Sequence, residues 1–342
     1  MALHYARHLK NLGAEPVVYR LRDTLSQRYE VKSAATADEL IQDAAFCVFG
    51  GGSLLSGHKN PPGWYEDQKQ REYQALTEAI EKHECPLYFF SIGGDGDFGD
   101  GSGIASYRQR LLSSDMCRSA TIRQEADVAL IEEKFGIDAV YYPDVLLNVK
   151  EFWGIDTTVA DDGKVHVGLN LPTSYSTTAK LLDVCRRFKG GTVFHFINTV
   201  RPREGKESFG GELMPPEGRG YIRRHVYDDP IDTLRFLANL DVIFSFKLHI
   251  GLTASALGVP LVCIKRKLKT KAFLHSIGAD FAYWGHLPKL RVKGRFLRTA
   301  LSPQRVKSLQ TQFARQVNMQ EQIAASWGHL DVLESVLQEH AH

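Results

Sequence analysis

Cysteine is scarce in this chain and badly placed for cross-linking. Its 342 residues hold five, Cys47, Cys85, Cys117, Cys185 and Cys263, scattered and never in a CxxC pair. That argues against a disulfide framework and a thiolate zinc site, and it fits a reducing cytoplasm. Charge of one sign is lacking too: 42 Lys and Arg against 40 Asp and Glu leave a net +2, so the whole chain is no polycation seeking nucleic acid. The most apolar stretch, "DVIFSFKLHIGLTASALGVPLVCIKRKLKTKAFLHSIG", is broken by Asp241, Lys247 and His249 and cannot cross a bilayer as a helix. The opening "MALHYARHLKNLG" has no signal-peptide core. The loop Gly50-Gly51-Gly52-Ser53 has neither a Walker lysine nor a GxGxxG spacing, which disfavours NTPase and NAD chemistry there. What remains, 43% hydrophobic and 24% charged residues, is an ordinary globular composition, long enough for two domains with proper cores.

What is present alternates. "MALHYARHLKNLG" reads as a helix closed by Gly13, "TADELIQDA" as a short helix capped by Thr36, and "AFCVF" as a buried strand running into Gly50-Gly51-Gly52. Apolar strands "PLYFFSIGG", "SATIRQ" and "AVYYPD" alternate with helices "YQALTEAIEKHE" and "EADVALIEEKFG", a βα series that implies a parallel sheet covered on both faces. The pattern lapses over 151–163 and restarts with "VHVGLNL". We therefore expect an α/β, GT-B-like architecture: a Rossmann-like domain over 1–150, a linker over 151–163, and a second Rossmann-like domain over 164–300. C-terminal helices over 301–342, opened by Ser302 and Pro303, should return toward the first domain. Ligands of such folds lie in the cleft between domains, beyond the carboxyl ends of the strands.

Cations collect at those ends. If the strand from Val242 runs on to His249, Lys247 and His249 face the same side at its end. The strand Pro260–Ile264 exits into Lys265, Arg266, Lys267, Lys269 and Lys271, and "GTVFHFI" exits toward Arg201, Arg203 and Lys206. From Phe244 to Ala300 there are 11 Lys and Arg against one acid, Asp280, an asymmetry that predicts an anionic ligand. A basic loop after a strand is equally a solvated face, and a lone histidine in an apolar run is ordinarily a satisfied core residue; Lys247 and His249 together at a strand end are harder to explain that way. Gly51, Gly52 and Ser53 are candidates for backbone approach to a phosphate or sugar, or else form a tight turn. Asn170, closing "VHVGLN", joins them as a binding candidate. Asp95, Asp97 and Asp100 lack the terminal Glu of a calcium loop, and no metal is expected. "PKLRVKGRFLR" alternates like an edge strand with one basic face, suited to an anionic polymer, to a membrane or simply to solvent.

The segment "SFKLHIGLTASALGVPLVCIKRKLKTKAFLHSIG" resembles the signature of the polysaccharide pyruvyl transferases: Ser-x-Arg-Leu-His, an Ala-rich helix, Gly-Val-Pro, an apolar strand, then a Lys before Phe-Leu. In order along the chain, "FCVFGGGSLL", "SIGG", "SATIRQEADVALIEEKFG", "YYPDVLL" and "VHVGLNL" resemble further segments of that family, from about Ala45 to Gly278. The resemblance implies a GT-B-like enzyme that moves the enolpyruvyl group of phosphoenolpyruvate onto a sugar of a cell-surface or exopolysaccharide precursor. It needs no cofactor beyond that donor and acts in the cytoplasm on a glycan or lipid-linked saccharide acceptor at the inner face of the membrane. It makes His249 the essential histidine and Arg123 the catalytic arginine of the first domain, with Lys247 and Lys269 holding the donor. Two departures stand out: Lys247 replaces the usual arginine, which removes bidentate anion recognition, and the chain starts at what reads as the helix after the family's opening strand and Asn-x-Gly-Asp loop. The alternatives are a nucleotide-sugar glycosyltransferase on the same scaffold, disfavoured by the acid-poor 244–300 segment, and a non-catalytic binder of anionic glycan.

Overall fold

A computed structural model describes residues 1–56, 64–94, 103–156, 162–189, 191–199, 211–214 and 222–341. The chain divides into two compact units, Met1–Val145 with Ala324–His342, and Leu146–Ile323. Both are α/β with parallel sheets, the two Rossmann-like domains expected of a GT-B-type protein.

In the first unit the elements run α1 (Ala2–Asn11), β1 (Val17–Tyr19), α2 (Asp23–Tyr29), β2 (Lys32–Ala34), α3 (Ala37–Ile41), β3 (Cys47–Gly50), α4 (Trp64–Lys82), β4 (Leu87–Ile92), α5 (Ser106–Leu112), β5 (Cys117–Ile122), α6 (Val128–Phe135) and β6 (Asp138–Tyr141). The main sheet is β3-β4-β5-β6, all parallel, and β1 pairs only with β2 in a separate parallel ribbon. Every residue of "LYFFSI" in β4 is buried, as a strand covered on both faces requires. Leu3 and Ala6 of α1 pack with Leu25 and Val31 beside the ribbon, while Tyr5 of the same helix meets Phe90 of β4, ring centroids 5.7 Å apart. Thr36 caps α3 in a capping box with Glu39, and Gly13 follows α1 at φ +87°.

The second unit contains α7 (Val149–Trp153), β7 (Val165–Asn170), α8 (Ser176–Lys189), β8 (Thr192–Asn198), β9 (Ile222–Val226), α9 (Pro230–Ala238), β10 (Val242–Ser245), α10 (Leu248–Ala256), β11 (Leu261–Cys263), α11 (Leu268–Ser276), α12 (Lys289–Ala300) and α13 (Pro303–Gln316). The unit boundary falls inside α14 (Gln320–Ser326), and α15 (Gly328–Glu339) belongs to the first unit. The sheet order β11-β10-β7-β8-β9 places the switch in strand order between β7 and β10, where open α/β sheets receive ligands. Its core joins Val167, Leu169, Phe194, Phe196 and Phe244 to Phe296, Ala300 and Val306 of the helices.

Four expectations change. The 151–163 linker overlaps a helix, α7, whose Val149 is buried; residues 157–161 lie outside the described set. The division falls after Val145 rather than at 150, and the 301–342 tail is split between units. Of that tail, α15 alone sends its buried Leu330, Leu333 and Val336 into the first unit. "PKLRVKGRFLR" is helix α12, because Val292, Phe296 and Ala300 repeat at a spacing of four and all three are buried. Finally, β10 stops at Ser245, so Lys247 and His249 do not share a strand face.

Candidate functional site

The carboxyl edge of the second sheet carries a dense polar network at the switch point. Asn170 ends β7 and Ser245 ends β10, and the two residues are register partners. The Asn170 side chain, fully buried, donates to Ile197 O at 3.0 Å and to Glu212 Oε1 at 2.7 Å, and its Oδ1 lies 3.1 Å from Ser245 Oγ. An isolated antiparallel bridge from Pro172 brings Glu212 to this edge. Its carboxylate has no exposed surface. It accepts from Thr199 Oγ1 at 2.7 Å and from Thr199 N at 2.8 Å, and lies 3.0 Å from Lys247 Nζ in an ion pair. Lys247 Nζ also donates to Thr199 Oγ1 at 2.9 Å. A buried carboxylate is tolerable only when paired and hydrogen-bonded in this way. Lys247 is thus charge-balanced from within, not left bare for an anion.

Two helices begin at the same edge. Lys247 is the N-cap residue of α10 and Lys267 that of α11; neither N-cap side chain bonds the helix, and neither first turn holds an acid. His249 and Lys269 each occupy the second residue of their helix, half-buried. Helix N-termini carry unsatisfied N–H groups and a partial positive charge, the recurring seat of phosphate groups. Gly251 sets how closely α10 approaches β11: a Cβ there would lie 2.4 Å from Leu261 Cδ1. Arg201, Arg203 and Lys206 lie outside the described residues.

One further group stands out at this edge. Asn198, the last residue of β8, is fully buried, and neither of its side-chain polar atoms has a partner among the described residues, a rare condition that calls for a reason. Sequence reading missed Asn198, Thr199, Ser245 and Glu212. For Asn198 a signal was there, since "TVFHFIN" ends as "VHVGLN" does, in an asparagine after an apolar strand. Glu212 gave none: it lies in an irregular stretch and reaches the edge by an isolated bridge.

In the first unit the glycine loops are held from beneath. Gly51 and Gly52 adopt φ of +76° and +93°, left-handed conformations that favour glycine. A Cβ at Gly50 would sit 2.8 Å from the Tyr5 ring. Arg123 is buried and paired. Its side chain is 2% exposed; Nη1 donates to Asp144 Oδ2 at 3.0 Å and Nη2 to Gly52 O at 2.9 Å. Arg108 Nη1 donates to Ser53 O and Ser56 O, both at 3.1 Å. The second loop is tied by Asp127, which accepts from Gly94 N at 2.6 Å, and by Gln124, which donates to Gly94 O at 2.7 Å. Ser91 just before it sits at φ +53°, a strained conformation held by its surroundings. From α15, His329 bonds Thr121 Oγ1 and Pro143 O at 2.6 and 2.9 Å. Burial pushes this imidazole down to about 4, so it stays neutral: Nε2–H donates to the carbonyl and Nδ1 accepts from the threonine hydroxyl. Asp95, Asp97 and Asp100 lie outside the described residues. Among those described, no group of three or more His, Cys, Asp or Glu is placed to hold a metal, and no helix is long and apolar enough to cross a membrane.

No family model and no curated protein matches this chain. Solved structures do. It is similar to MnaA of S. aureus, solved with UDP (TM-score 0.63, 12% identity, 98% of this chain and 94% of that one). It is similar to the UDP-GlcNAc 2-epimerase of Neisseria meningitidis bound to UDP-GlcNAc (TM-score 0.60, 9% identity, 98% and 95%), and to HepE of Anabaena in complex with UDP-glucose (TM-score 0.51, 11% identity, 98% and 95%). At such identities the likeness establishes the fold, of the GT-B type and along nearly the whole chain, and by itself no activity.

Proposed function

We propose that this chain is a GT-B-type enzyme acting on a nucleoside-diphosphate sugar, of the glycosyltransferase kind. The observation that carries the reading is the pair of helices α10 and α11, both uncapped by their N-cap side chains and both opening at the carboxyl edge of one parallel sheet. Two neighbouring helix N-termini suit two linked phosphates, with Lys269 on the first turn adding charge. The internal neutralisation of Lys247 by Glu212 removes one of the cations that a compact trianion would need and leaves a network rich in hydroxyl, amide and carboxylate groups, suited to sugar or ribose hydroxyls. Glu212 also supplies the second-domain acid whose absence from 244–300 had counted against this reading. Three structural neighbours were solved with UDP, UDP-GlcNAc or UDP-glucose, which supports the assignment by fold-level analogy.

A second reading, phosphoenolpyruvate-dependent pyruvyl transfer, is favoured by His249. An imidazole on the first turn of α10 is suited to protonate the enol methylene and to take the proton of an attacking sugar hydroxyl, with phosphate leaving. One experiment separates the two: thermal unfolding of the full chain with UDP, UDP-GlcNAc, UDP-glucose and phosphoenolpyruvate at equal concentration. We expect the nucleotide compounds to raise Tm through binding linkage. A shift with phosphoenolpyruvate and none with the uridine compounds would replace this reading with the second.

A further inference from the structure

Beside the α11 N-terminus, two stretches of the second unit form one surface. Residues 263–267 and 283–285 run side by side, with α12 opening four residues later at Lys289: Trp284 N donates to Cys263 O at 2.9 Å and Lys267 N to the Tyr283 hydroxyl at 3.3 Å. A Cβ on Gly285 would lie 2.6 Å from Lys265 O, so only glycine lets the backbones approach so closely. His286 stacks on Tyr283, centroids 6.0 Å apart. Lys265, Arg266 and Lys267 on one side of this junction, and Lys289 and Arg291 on the first turn of helix α12 that follows it, are exposed, and none of them forms an ion pair among the described residues. The one acid of the surrounding segment, Asp280, lies 3.0 Å from His275 Nδ1.

Leucines project from among these cations. Leu268 is 44% exposed and Leu290 is 85% exposed, the highest of the large exposed apolar side chains among the described residues. Helical geometry explains Leu290. Val292 and Phe296 of α12 face the core, and a residue two positions before Val292 points about 200° away from it. Leu290 therefore cannot join the core without unwinding the helix. An anionic polymer would be satisfied by the cations alone. An apolar side chain flanked by exposed Lys and Arg is instead what the boundary between headgroups and acyl chains accepts: leucine inserts while the cations meet lipid phosphates.

We propose that this face docks on the surface of an anionic lipid bilayer, independently of which donor the enzyme uses. The test is co-sedimentation of the full chain with sucrose-loaded vesicles of phosphatidylglycerol and phosphatidylcholine, against phosphatidylcholine alone, in 0.1 M salt. The chain should partition to the mixed vesicles only. Lys289→Gln with Arg291→Gln should lower the partition coefficient roughly 25-fold, since each basic side chain near an anionic surface contributes about fivefold. Leu290→Ser should lower it severalfold at an unchanged Tm, the side chain being in water already. Absence of partitioning overturns the proposal, and so does partitioning that these variants leave unchanged. Retention on heparin beads together with vesicle binding indifferent to Leu290→Ser also overturns it, in favour of a polyanion surface.

Discussion

Arg123 and Lys247 are the two cations whose roles the tertiary contacts redefine, and they differ in burial. Arg123 is sealed, with Asp144 5% exposed beside it and the Gly52 carbonyl as its second partner. Removing one member of such a pair strands the other charge in a low-dielectric interior, at a cost of about 3–5 kcal/mol. Arg123→Ala should accordingly lower Tm by many degrees, and adding Asp144→Asn should recover part of the loss; denaturant titration of the single and double variants checks both. Lys247 keeps 30% of its side chain exposed, and its ammonium already has Glu212 as an ion-pair partner and Thr199 Oγ1 as a hydrogen-bond acceptor. Glu212→Gln should weaken donor binding while the fold survives, because an uncompensated Lys247 relaxes toward water. Calorimetric binding of UDP-GlcNAc to the variant gives the answer. His249 and Lys269 separate by kinetics under either donor. With the native donor, Lys269→Ala should weaken binding by roughly 1.5–3 kcal/mol, the scale of a charged hydrogen bond. A general acid–base role predicts that His249→Ala loses about 10²–10⁴-fold in turnover with little change in affinity. Near-normal turnover would make the imidazole merely structural.

Among the elements, β7 and β8 carry a buried histidine pair with a pH signature. His166 Nδ1 and His195 Nε2 are 3.0 Å apart, and His166 Nε2 lies 3.1 Å from Asp162. Burial first, then the His166 ring, pushes His195 from its usual 6.5 down to about 3. Because the folded value lies below the unfolded one, the unfolded chain binds the extra proton between those two pH values. Stability is therefore full above about 6.5 and is lost progressively as pH falls toward about 3. Urea midpoints measured from pH 7 to pH 4.5 should decline, and His195→Gln, which has no titrating ring, should decline less. The same elements show what could be read beforehand. Strands such as "LYFFSI" and "VHVGLN" announce themselves as uninterrupted apolar runs, and α3 by its capping residue. The α12 segment misled because its charges alternate with apolar residues while burial follows only every fourth position. The end of β10 misled too: nothing in "SFKLH" marks where an extended chain turns helical, a choice made when α10 packs Gly251 against Leu261.

For the whole molecule, each unit has its own core, but only one is continuous in sequence. Residues 146–323 enclose the core around Phe194, Phe244 and Phe296 and should fold alone with a single cooperative transition by circular dichroism. Residues 1–145 should not, since α15 contributes buried His329, Leu330, Leu333 and Val336 from 324–342. Supplying that helix as a fusion should restore the transition, and a folded 1–145 fragment would contradict this account.

Order and composition were enough for the α/β class, two parallel-sheet units, Asn170 at the carboxyl end of a strand and a cationic second half, because burial on both faces and short-range periodicity leave direct traces in a linear string. Pairing does not. That Glu212 neutralises Lys247, that Arg123 braces a glycine loop, that Asn198 finds no partner among the described residues and that Leu290 stands in water were settled only when residues tens of positions apart came within about 3 Å or were kept from doing so. The energy of a charge or an amide depends on those neighbours rather than on its place in the chain.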